Sequence, residues 1–160
     1  MSRSMTIFLG ALFALLVAAP MAVAARQAPP LPVEGSQDLP AGAVFGRCDF
    51  PIRFAVDGKA QELVLPGGRF IYTSPGLTAT LTNLSTGKQV TLSITGAFHQ
   101  TTLANGDVVT EATGRNLLGD PQAGFVLAIG DYSYVFDKKG NLVQPLTGEG
   151  QLVDVCGLLS

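Results

Sequence analysis

The chain has 160 residues, with ten Lys or Arg against twelve Asp or Glu, one His, two Cys and no Trp. A net charge of −2 with scattered basic residues excludes a nucleic-acid footprint, which needs clustered cations to displace counterions from phosphates. Two cysteines with neither C-x-x-C spacing nor partner histidines exclude a zinc module and a dithiol redox motif.

Residues 1–24, MSRSMTIFLGALFALLVAAPMAVA, place Arg3 ahead of an apolar run from Ile7 to Ala19, then Pro20, then Ala22 and Ala24 around Val23. That layout predicts a secretory signal peptide with an A-x-A cleavage site. The competing reading is an uncleaved anchor, since Met5 to Ala25 reaches the lower length limit of a spanning helix. Cleavage removes Arg3 and moves the net charge to −3, leaving roughly 135 residues, a length suited to one domain. No later apolar segment is long enough to span a bilayer, so no membrane contact is expected after cleavage. LPVEG at 31–35 lacks both the threonine and the C-terminal position of a sortase signal.

Residues 25–44 hold four prolines and few apolar side chains, so a disordered, extended linker is expected there and a single β domain over 45–160. From Phe45 onward short apolar patterns alternate with Gly, Pro, Asn and Asp. CDFPIRFAV puts Phe50, Ile52, Phe54 and Val56 on one strand face, DGK at 57–59 reads as a hairpin turn, and QELVL and RFIYTS follow as strands. In TATLTNLSTGKQVTLSITG (78–96), Ala79 and Leu81 alternate with threonines, then Val90, Leu92 and Ile94 do the same, around an STGK turn. This is the clearest hairpin in the chain, with its hydroxyl row read as the wet face of a sheet.

AFHQTTL, VVTEATG, GFVLAI and YSYVF give further strands, with turns at NGD (105–107), GDPQAG (119–124) and DKKGN (137–141), and a single helical turn is allowed near GRNLLGD. GQLVDVCGLL ends the chain as a strand running through Cys156. The expectation is an all-β fold, an antiparallel sandwich or small barrel of about eight to ten strands without substantial helix. Cys48 and Cys156 are predicted to form a disulfide, since exported cysteines oxidise and one connectivity exists.

Candidate chemistry is sparse. His99 is the only histidine and has no G-x-S-x-G elbow or triad context, so no catalytic residue is assigned. Asp131 beside Tyr132 and Tyr134 is a candidate sugar contact, through ring stacking and hydroxyl acceptance. Arg115 and Asn116 in TGRNLLGD are candidate anion contacts, the alternative being that Arg115 bonds turn carbonyls or a nearby acid. DKKGN carries Lys138 and Lys139 where a calcium loop needs acids and is read as a turn. NLS at 83–85 is a glycosylation sequon read as a turn in an expected bacterial host.

CDFPIRF, ATLTNLSTGKQVTLSITG, ATGRNLL, GNLV and DVCGLL together resemble a group of small secreted actinobacterial proteins of uncharacterised function, over Gly46 to Leu158. The resemblance implies export, the cysteine pair and a single β domain, and brings no activity or catalytic residue with it. The sequence therefore points to a secreted, extracellular, monomeric, non-enzymatic protein without cofactor or metal that binds an extracellular ligand, polymer or protein. A secreted hydrolase using dispersed carboxylates or His99, and a secreted protease inhibitor, are the alternative classes.

Overall fold

The computed structural model describes residues 28–43 and 48–160, so the expected export segment lies outside the described residues. Nine strands follow in order: β1 (Leu31–Leu39), β2 (Ile52–Leu65), β3 (Arg69–Thr73), β4 (Thr78–Asn83), β5 (Gln89–Ser93), β6 (Gly96–Thr102), β7 (Val108–Asp120), β8 (Gly124–Phe136) and β9 (Leu142–Asp154). A short helix, α1 (Val155–Leu159), ends the chain. Every pairing is antiparallel, and the strands form one sheet in the order β5-β4-β2-β3-β6-β7-β8-β9, with β1 added on β2.

The all-β expectation and the strand count agree with this. The closure is made by a single sheet folded back on itself. The reason lies in the register, which aligns four glycines across neighbouring strands: Gly96 with Gly114, Gly114 with Gly130, and Gly130 with Gly150. At Gly130 φ is 140°, and an added Cβ would sit 2.3 Å from the Glu149 carbonyl oxygen; at Gly150 it would sit 2.2 Å from that of Ile129. Only glycine lets the backbones approach this closely while turning.

Beyond this row the β7–β8 hairpin tip is buried on both faces. Phe125 and Leu127, with Leu117 and Ile129, pack against Ile52, Ala79 and Leu81 of β2 and β4. Leu118, Val126 and Ala128, on the alternate face, pack against Ala112 and Tyr132 with Phe98 and Leu146 around them. Because Ala112 and Tyr132 belong to the same two strands on the near side of the glycines, these contacts require the strands to fold there. The run Gly124–Ala128 is consequently buried at every position. Leu81 and Leu127, both fully buried, each contribute about 1.5–3 kcal/mol by the usual transfer scale.

Local patterning explains the hairpin β4–β5. Ala79 and Leu81 point inward with no exposure, while Thr80 faces outward, its hydroxyl 3.0 Å from that of Thr91 on β5. The Thr row is the outer face of this half of the sheet. Asn83 closes the turn with its side-chain oxygen accepting from the Ser85 and Thr86 N–H groups, while its amide donates to the Leu159 carbonyl. At 2% exposure this sequon asparagine belongs to the core, in keeping with its reading as a turn residue.

Several local expectations are corrected. DGK at 57–59 is no turn: β2 runs on through Gly58 and turns at Pro66–Gly68, because β1 pairs it without a break from Ile52 to Ala60. GRNLLGD is strand, not a helical turn, with every residue from Arg115 to Asp120 paired to β8. GFVLAI and YSYVF are one strand, kinked at Gly130. The final strand stops at Asp154, whose carboxylate accepts from the Cys156 N–H and caps α1, so Cys156 sits in a helix. Cys48 likewise lies ahead of β2, and the Cys48–Cys156 disulfide forms with Cα atoms 5.2 Å apart.

Residues 31–39, expected to be disordered linker, form β1. Their side chains are mostly exposed, as the composition implies, but nine register positions along β2 and the two-pronged Arg53–Asp38 contact at 2.7 and 2.8 Å supply what burial does not. An edge strand of this kind is held by its ladder.

Gly130→Ala is expected to destabilise the fold by at least about 2 kcal/mol, since it adds backbone strain to a steric overlap. Gly35→Ala, where an added Cβ meets nothing within 4 Å, serves as the matched control and is expected to change the urea midpoint little.

Candidate functional site

Period-two alternation decides which candidates meet. Asp131 is exposed and lies opposite Thr113 and Glu149, whereas Tyr132 and Tyr134 point to the other face of β8. The carboxylate and the two rings therefore do not converge on one sugar. Tyr132 is a core residue opposite Ala112. Tyr134 is half-buried with its ring 5.7 Å from Phe136; burial raises its phenol above the ordinary range, and a hydrogen bond with Thr110 opposes that rise.

His99 on β6 is exposed and faces Glu111 across the pair. With Asp131 and Glu149 they share the open outer face of this half of the sheet. Asp131 and Glu149 sit directly opposite each other, but both are solvent-exposed. That setting is the reverse of the enclosed environments that hold one carboxyl as acid and another as base.

Arg115 and Asn116 both donate to backbone carbonyls. The Arg115 guanidinium donates through Nε to the Ser93 carbonyl at 3.0 Å, and its backbone N–H donates to Thr95. Asn116, 3% exposed, lies against Gly96 and donates to the Thr113 carbonyl at 2.9 Å. A Cβ on Gly96 would fall 2.5 Å from the Asn116 side-chain oxygen, so the buried amide and the glycine are one device stitching the bend.

A concave site does exist, where the sequence reading placed linker. Pro29 and Pro30 have no N–H to donate, so the ladder that pairs Leu31 with Ala60 stops there and the chain arches away from β2. The Gln61 amide donates to the Ala28 carbonyl and pins the arch. Beneath it is a cavity of about 530 Å³ walled by Leu31, Val33, Ala60, Leu63 and Tyr72, with Gln61 and Glu62 as its polar groups. Tyr72 stands opposite Glu62, and its phenol is raised first by burial and then by the Glu62 charge. The one signal available in the sequence was the Pro29–Pro30 pair just before a potential strand.

Among the described residues no group of three or more His, Cys, Asp or Glu is placed to hold a metal ion, and no helix is long and apolar enough to cross a membrane. In comparisons with known proteins, no family model, no curated protein and no solved structure matches the chain.

One of the contacts that hold β1 against β2 depends on pH. Arg53 holds the Asp38 carboxyl below its usual range, chiefly through their hydrogen bond, so the contact contributes fully above the unfolded carboxylate pKa of about 4. It is lost as pH falls below that value through the lower folded one. Amide NMR signals of 31–39 are expected to broaden or shift toward unstructured positions below about pH 4, ahead of β7 and β8. In Arg53→Gln the same signals should be weakened already at neutral pH.

Proposed function

We propose that the chain is an exported, non-catalytic binding domain and that the cavity beneath the N-terminal arch receives its ligand. The observation that carries this reading is the cavity itself. Its volume of about 530 Å³ falls within the range of small-molecule sites, and its apolar walls with a few polar groups match their usual chemistry. Glu62, Gln61 and the Tyr72 hydroxyl favour an apolar body with a hydrogen-bond-donating end, and a Tyr72–Phe98 ring pair with centroids 6.4 Å apart backs one wall.

Export is supported by the disulfide, which persists in oxidising compartments, and by the charge and small-residue layout of residues 1–24. The resemblance to secreted actinobacterial proteins points the same way. Mass spectrometry of protein recovered from a bacterial culture medium is expected to give a chain beginning at Ala25 and two mass units heavier after reduction.

The ligand reading is tested with the neutral apolar fluorophore 1-aminoanthracene. Saturable enhancement with a Kd on the order of 10 μM is expected, an affinity ordinary for a probe of this size. Ala60→Phe should fill the cavity and weaken binding at least tenfold; Leu31→Asp, at a position 67% exposed, should do so without disturbing the fold. Binding unchanged in both variants, or no saturable signal, overturns the assignment.

A further inference from the structure

Strand alternation and register place the arch cavity on a surface that continues well beyond it. Leu31 stands opposite Ala60 and Val33 opposite Gly58, so both share a sheet face with Glu62, which stands opposite Tyr72. The register carries that face from Tyr72 to Phe98 on β6, then to Ala112 and Tyr132, and alternation along β8 adds Tyr134 and Phe136. Phe98, Tyr134 and Phe136 line a second cavity, of about 260 Å³, completed by Leu118 of the hairpin tip and Leu142 and Leu146 of β9. The two cavities meet at one ring pair: Tyr72 walls the first and Phe98 the second, with centroids 6.4 Å apart.

We infer that one elongated ligand fills both cavities, a long-chain amine whose ammonium head lies at Glu62 and whose hydrocarbon tail crosses the Tyr72–Phe98 pair to end at Phe136. The inference rests on the arch cavity being a ligand site and names the class of ligand. Length is the first argument. β2 and β8 are four strand spacings apart in the sheet order, about 19 Å at the usual spacing, so a compact molecule reaches one cavity and a chain reaches both.

Ring geometry selects hydrocarbon over sugar. Tyr72 and Phe98 are tilted by 43° and Tyr134 and Phe136 by 85°, so the rings offer no flat platform on which successive sugar rings could stack. The polar side chains between them are already engaged, since the Gln100 amide donates to the Thr110 hydroxyl and Tyr134 also bonds Thr110. Charge selects the head group. Neither cavity is lined by Lys or Arg, and their charged residues are Glu62 and Asp120. Asp120 is spent on the fold, its oxygens accepting from the Gln122, Ala123 and Leu146 N–H groups. Glu62 is exposed, and among the described residues no Lys or Arg lies within ion-pair distance of it. A carboxylate or phosphate head would be repelled there, whereas an ammonium gains a charge-assisted hydrogen bond.

The test is displacement of 1-aminoanthracene from the disulfide-bonded chain by octylammonium and hexadecylammonium chlorides below their micelle concentrations, with methyl and aromatic NMR signals followed in parallel. Each methylene buried strengthens binding by up to about fourfold, so hexadecylammonium is expected to bind about a hundredfold more tightly than octylammonium and, unlike it, to shift Phe136 and Leu142. Phe136→Ala should weaken hexadecylammonium at least tenfold while leaving octylammonium and 1-aminoanthracene unchanged; should that variant fail to fold, the comparison of chain lengths decides. Glu62→Gln, at an exposed position, should remove the preference for octylammonium over 1-octanol. Equal affinity of the two amines without shifts at Phe136 and Leu142, while 1-aminoanthracene still binds, overturns the inference and leaves the arch site standing. Absence of 1-aminoanthracene binding overturns both.

Discussion

Backbone crowding along Gly96, Gly114, Gly130 and Gly150 is the constraint on which the rest of the molecule depends. Four neighbouring strands carry no side chain at one level of the sheet, and there the chain paths approach to distances a Cβ would forbid. A sheet with side chains at that level would continue its twist in the ordinary way. Without them β7 and β8 fold over, and their tip becomes the middle of the core, wedged between β2–β4 on one face and its own base on the other. Asn116 fills the space vacated at Gly96, and Asp120 ties the tip to β9, so polar side chains finish what the missing ones permit.

The disulfide sits in the core that the folded hairpin tip enters. Cys48 and Cys156 belong to the same core cluster as Leu127 and Leu159, and Asp154 turns the chain into α1 so that Cys156 reaches its partner. Joining positions 108 residues apart restricts the unfolded chain, worth about 4–5 kcal/mol in the loop-entropy model. A single sheet of modest core, stapled this way, can leave β1 as an exposed edge without risking the whole.

Much of this was legible in the sequence wherever alternation was strict. Ala79 and Leu81 against Thr78, Thr80 and Thr82 set the β4–β5 hairpin, its faces and its turn, because period two leaves one solution when one face is buried. The same rule puts Asp131 on the face opposite Tyr132, which the reading of Asp131 and the two tyrosines as one sugar contact overlooked. Turn chemistry misled at Gly58, since a glycine in a D-G-K context reads alike in a hairpin and in a strand whose backbone is crowded by a neighbouring turn, here Gly76 and Leu77. β1 was missed because a strand held by ladder bonds and one ion pair leaves little trace in hydrophobicity. The glycine row was hidden for another reason: its members lie 16 to 20 residues apart, and their alignment is a property of register, which no local window contains.

The account rests on the hairpin tip being buried from both sides, and methyl nuclear Overhauser contacts on the disulfide-bonded protein test this most directly. The Leu127 methyls should contact Ile52 and Leu81 while the methyls of its chain neighbour Val126 contact Tyr132. Contacts for only one of the two, as in a sheet that passes the glycine row without folding, would contradict it.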